Sequence, residues 1–264
     1  IFLDVETVTR HKTWKEFEEN EPDLATSFIK NKAKNWLEFR DTEMARINKM
    51  RVEGTQPVPY DISYLDHEYL YHLRAGLFPE YNKIVCISLC YTLLDKATEK
   101  EITKTISFAG EDEFELLKNF SIIFSGIVSQ VQTSTKKQPY VVGHNILLFD
   151  LPVIYKRMIM NNLLPHYLIH ADQVKPWEKF AVDTRNIWKA GDRNGDASLN
   201  TVCYALGVTS SKDGEHNMDG SQVGKEYHQE KNIEGIAHYC EEDVEVLHKI
   251  FTIYSNLKSY TFNK

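Results

Sequence analysis

The chain has 264 residues, of which 42% are hydrophobic and 26% charged, with a formal net charge of −7 and a pI of about 5.8. This length can bury a sizeable core in one large domain, or in one domain carrying an insertion. The acidic balance argues against a protein that simply coats nucleic acid, and any such contact is expected to be local and helped by bound metal. No stretch is long and apolar enough to span a membrane, which gives the expectation of a protein with no membrane partner. Cys86, Cys90, Cys203 and Cys240 form no C-x-x-C pair and read as reduced core thiols of a cytoplasmic protein. The sequence opens inside a strand and without Met, which predicts residues upstream of this numbering.

In the first strand, Ile1, Leu3 and Val5 alternate with Phe2, Asp4 and Glu6, so a period of two sends both carboxylates out of one face. A half-buried edge strand with its acids in water would explain a lone D-x-E. A bound divalent cation would explain it too, by offsetting the repulsion of two adjacent acids. From His11 to Met50, apolar residues such as Trp14, Phe17, Phe28, Trp36, Phe39 and Ile47 recur at rough helical spacing and predict two amphipathic helices. These belong to a mainly helical insertion over 11–60, whose end, Glu53 to Asp61, reads as a loop. Strands follow at Lys83 to Tyr91 and Glu101 to Phe108, forming with the first strand an antiparallel meander. A helix opens at Gly110 to Glu113 and runs to about Ser125, and a polar link spans Gln132 to Pro139. Tyr140 to His144 is a fourth strand, Leu151 to Asn162 a helix, and Phe180 to Asp183 a short strand, a crossover that implies parallel pairing. Ser198 to Leu206 is a short helix closed by Gly207, and the last helix starts near Ile233.

Three acidic motifs stand in order: D-x-E on the first strand, N-x-x-x-F-D where a later strand meets a helix, and Y-x-x-x-D on the last helix. Each is weak alone, and together they form a strong joint signal. His238 and Asp243 also satisfy an H-x-x-x-x-D spacing. On a helix, however, His238 lies about 140° from Asp243 and Tyr239 about 40°, which favours Tyr239.

With these motifs the sequence resembles the DEDD 3′–5′ exonucleases of ribonuclease H-like fold, in their tyrosine branch. More narrowly it is similar to the stand-alone bacterial and phage proteins related to the proofreading domain of family B DNA polymerases. The resemblance rests on FLDVET at Phe2 to Thr7, LFPEYNKIVCISL at Leu77 to Leu89, GHNILLFDLPVI at Gly143 to Ile154 and SLNTVCYALGV at Ser198 to Val208. MDGSQV at Met218 to Val223 and IAHYCEEDV at Ile236 to Val244 complete it.

It implies an α/β fold with a mixed five-stranded sheet flanked by helices, a single exonuclease domain over 1–264, and a bacterial or phage-infected cell. It also implies that Asp4, Glu6 and Asp243 hold one Mg²⁺ or Mn²⁺, that Asp150 holds a second with Asp4 bridging, and that Tyr239 orients the attacking water. Thr7, Asn145 and Phe149 would meet substrate, although Phe149 as plain core is equally open. The implied partners are single-stranded DNA or a DNA 3′ end, and a separate polymerase or replication protein. A silent single-strand-binding or polymerase-associated module and an exoribonuclease stay open. Asp183 reads as a local structural acid. His166 and His170 lack a third ligand for zinc. Lys175, Lys179, Arg185, Lys189, Arg193 and Lys212 form a basic tract that would suit phosphates or plain solvent.

Overall fold

A computed structural model describes residues 1–52, 62–95, 97–98, 100–169, 180–210 and 218–256. They separate into two compact units, residues 8–83 and residues 1–7 with 84–264. The expected loop at Glu53 to Asp61 lies outside the described residues.

The helical unit begins with α1 (Trp14–Asn20), capped by the Thr13 hydroxyl, and α2 (Pro22–Phe28), started by a proline that has no N–H to lose. A π-helical turn at Ile29–Ala33 leads into α3 (Lys34–Val52), and α4 (His67–Arg74) is capped by Asp66. Three helices therefore stand before residue 53 where two were expected. Pro22 restarts the chain at N1 and breaks the first expected helix in two. Trp14, Phe17, Phe28, Tyr71 and Tyr81 form an aromatic core of their own, with Phe17 stacked on Tyr71 at 4.8 Å.

The larger unit is α/β and centres on a mixed five-stranded sheet in the order β3-β2-β1-β4-β5, flanked by helices. Its strands are β1 (Phe2–Thr9), β2 (Asn82–Leu94), β3 (Glu101–Ala109), β4 (Val141–Gly143) and β5 (Ala181–Asp183). β2 and β3 pair antiparallel from Cys86↔Ala109 to Leu94↔Glu101, whereas β1 with β4 and β4 with β5 are parallel. Helix α5 (Glu113–Thr135) is capped by Asp112 and ends at Lys136 with φ 57°. It outruns the expected end at Ser125 because Ile127, Val128 and Val131 continue its buried stripe. The remaining helices are α6 (Asp150–Met160), α7 (Thr184–Lys189), α8 (Leu199–Leu206), the single turn α9 (Val223–Lys225) and α10 (Ile233–Asn256).

The alternation of β1 divides the core. Leu3 and Val5 pack with Phe120 and Phe124 of α5 and Ile154 and Met158 of α6. Phe2, on the other parity, packs with Val244 and Leu247 of α10. Asp4 and Glu6 share the parity of Phe2, so the face that seals the strand to α10 also turns both carboxylates toward that helix.

Candidate active site

Three carboxylates converge where β1 meets α10. One oxygen each from Asp4, Glu6 and Asp243 lies within 4.8 Å of the others, the two strand acids half-buried and Asp243 buried. Asp150 is the first residue of α6 and is buried. Its carboxylate accepts from its own N–H and from that of Val5, which ties it to β1 between the two strand acids.

Burial pushes the Asp4 carboxyl well above its usual range, and repulsion from Asp243, Asp150 and Glu6 adds to the shift. Glu6 is raised in the same way by burial, then by Asp243, Cys86 and Asp150. Asp150 is pushed up to about 7, chiefly by burial and partly by Asp183 and Asp243. Four acids in one desolvated place repel unless cations join them. The donor set is all oxygen, with spacing that one small ion can bridge, and this fits Mg²⁺ or Mn²⁺ better than a thiolate-seeking metal.

Tyr239 is buried on the face of α10 that carries Asp243, and its hydroxyl hydrogen-bonds that carboxylate. Burial and the surrounding acids raise its pKa, so the hydroxyl keeps its proton. His238 behaves differently: its side chain is 60% exposed and lies 3.6 Å from Glu241. Gly220 lies against the tyrosine, where a Cβ would come within 3.9 Å of the hydroxyl. Asp219 of the same MDGSQV segment caps its turn by accepting from the Ser221 N–H at 2.9 Å.

The turn between β4 and α6 is held from beneath. Asn145 adopts φ 69°, a left-handed conformation that asparagine tolerates. The Asp183 carboxylate accepts from the N–H groups of Asn145 at 2.9 Å, Arg185 at 3.0 Å and Leu147 at 3.4 Å. The Asn145 side-chain oxygen accepts from Arg185 at 2.7 Å. Gly143 admits no side chain, because a Cβ there would lie 2.5 Å from Ile146. Phe149 is partly buried against the main core, and Thr7 lies half-buried on β1 one residue past Glu6.

Cys240 emerges only from the structure. Its thiol donates to the Asp4 carboxylate at 3.5 Å, an interaction that lowers the Asp4 pKa against the other influences. Its place in the sequence, directly after Tyr239 on the helix, was the only available signal. In the basic tract, Arg185 and Lys189 both reach Asp196, at 3.3 and 3.1 Å, and Arg193 is exposed. Lys175, Lys179, Lys212 and His170 lie outside the described residues. His166 accepts from the Leu168 N–H at 3.2 Å. All four cysteines are buried and none is in a disulfide. No helix among the described residues is long and apolar enough to cross a membrane.

A family model described as a predicted 3′–5′ exonuclease related to the exonuclease domain of PolB matches residues 77–261. Among solved structures, the family B DNA polymerase from the hyperthermophilic archaeon Pyrobaculum calidifontis is similar at 16% identity and a TM-score of 0.49. That match covers 71% of this chain and spans 23% of the polymerase. No curated protein matches the sequence.

Proposed function

From the premise that this chain belongs to the family of predicted 3′–5′ exonucleases related to the exonuclease domain of PolB, we propose a metal-dependent hydrolase that removes nucleotides from the 3′ end of single-stranded or frayed DNA. The observation that carries the reading is the meeting of Asp4 and Glu6 with Asp243. The first two precede the family match and the third lies within it, yet their oxygens come within 4.8 Å. In this reading the whole chain serves one exonuclease activity, with a mainly helical insertion after the first strand.

Asp4, Glu6 and Asp243 would hold one Mg²⁺ or Mn²⁺, and Asp150 would hold a second together with Asp4. Such ions, when bound, supply Lewis acidity and positive charge beside the phosphodiester. The chain's own groups do the rest. The protonated Tyr239 hydroxyl donates to Asp243, and its oxygen, fixed in that way, accepts from and orients the attacking water. The Asp183 brace under the turn sets where Asp150 starts α6. Partial withdrawal of these acids from bulk water strengthens the electrostatic contacts among them. Little covalent work is left to the protein in such a transfer.

Labelled single-stranded DNA, duplex DNA and RNA, each incubated with Mn²⁺, Mg²⁺ or chelator, test the reading. Stepwise loss of 3′-terminal nucleotides from DNA, abolished by chelator, is expected. No metal-dependent loss from any substrate would leave a silent binding module, and preference for RNA would make the chain an exoribonuclease. Association with a separate polymerase or replication protein rests on kinship with the polymerase domain, and co-elution with such a partner would test it.

A further inference from the structure

The helical unit presents a cation and aromatic surface that the proposed chemistry does not use. Trp36 and Phe39, three residues apart on α3 and therefore neighbours, are 41% and 52% exposed. The Arg74 guanidinium lies 5.7 Å from the Trp36 ring centroid and 5.9 Å from that of Phe78, and the Lys32 ammonium lies 3.8 Å from Phe78. Lysine, phenylalanine, arginine and tryptophan thus form one alternating run.

The charges in this run are not neutralised. Between Lys30 and Arg51 the sequence holds seven lysines and arginines against three acids, in a chain of net charge −7. Those three acids are committed elsewhere, Glu38 to Lys34, Asp41 to Arg40 and Glu43 to Arg46. Among the described residues no acid pairs with Arg74 or Lys32, and the Arg74 Nε is buried without a hydrogen-bond partner. Aromatic faces hold both cations in place without cancelling their charge, which leaves that charge available to an anion.

We propose that this surface binds single-stranded nucleic acid, the bases stacking on Trp36 and Phe39 and the phosphates meeting Arg74 and Lys32. A flexible polyanion with a flat ring at every repeat matches exposed aromatics set among uncompensated cations, and this match requires no base identity. The inference deepens the exonuclease reading by giving its substrate class a second contact on the chain, and it rests on that reading only for the choice of substrate.

The test is fluorescence anisotropy of a labelled oligo-dT with the full chain in chelator, where no digestion occurs. Trp36→Ala/Phe39→Ala is expected to weaken binding at least about tenfold, with the salt dependence unchanged. Lys32→Gln/Arg74→Gln is expected to make the slope of log affinity against log salt shallower by about 1.4, at about 0.7 per cation lost. Trp36→Phe, which keeps a ring, should restore most of the affinity, and circular dichroism checks that each variant is folded. Wild-type affinity in both double variants, or no binding by the wild type, overturns the proposal. Parallel digestion assays separate the two readings. Metal-dependent digestion with unchanged variant binding sinks this surface alone. Lost variant binding without any digestion by the wild type supports the surface and sinks the nuclease.

Discussion

At the start of α5 the Glu113 carboxylate accepts from Arg157 Nε at 2.8 Å, from Arg157 Nη2, from Asn161 at 3.2 Å and from the Ile84 N–H at 2.7 Å. Where β1 meets α10, Asp4 and Glu6 face Asp243 and Asp150, and the charges acting on them are all negative. Both clusters are withdrawn from water in the same unit. The first offsets its desolvation within the chain, so it is a clasp between α5, α6 and β2. The second leaves its repulsion for something outside the chain to relieve, which is the mark of a binding site.

That contrast predicts opposite responses to substitution. Arg157→Leu strands a buried carboxylate and should cost about 3–5 kcal/mol in chemical denaturation, with specific activity kept in the molecules that stay folded. Asp243→Asn should lower turnover by about 10²–10³-fold. In chelator the same substitution should raise the melting temperature, since it removes one of four repelling charges. Added Mn²⁺ should raise the wild-type melting temperature and leave that of Asp243→Asn nearly still. If Asp243→Asn proved destabilising in chelator, the acids would be a structural cluster and the contrast would fail.

Smaller effects sharpen the same division. Tyr239→Phe keeps the ring and loses the hydroxyl, so a steady-state assay should record a fall of about 10–10²-fold in turnover. His238→Ala, on the exposed side of α10, should stay within about twofold. The reverse ranking would reject Tyr239 as the residue that orients water.

The mildest case is His144, whose ring lies between the Thr184 hydroxyl at 3.0 Å and the Ala197 carbonyl at 2.9 Å. Burial holds its pKa below the ordinary 6.5. Above that value both folded and unfolded chains carry it neutral. As pH falls below it, the unfolded chain gains a proton the native state resists, so stability is lost on acidification. Between pH 7 and 5 the wild-type melting temperature should therefore fall more steeply than that of His144→Gln.

Much of the candidate site's geometry could be read along the chain because it depends on local periodicity. The period of two in β1 put Asp4 and Glu6 on one face, and the helical spacing of α10 put Tyr239 beside Asp243 and turned His238 away. Asp183 was legible as a structural acid, but its three backbone partners on two separate segments were not. Cys240 carried no pattern of its own, and its bond to Asp4 spans 236 residues. The helical unit was read least well, since α3 is polar on nearly every face and, among its described side chains, buries Ile47 as the one large residue.

By itself the sequence determined which acids share a strand face or a helix face, and where helices begin, because caps and periodicities act over a few residues. Only the tertiary structure decided that Phe2 seals β1 against Val244 and Leu247, and so brings Asp4 and Glu6 to Asp243. That meeting depends on side-chain packing between elements more than 200 residues apart in the chain, and no local preference encodes it.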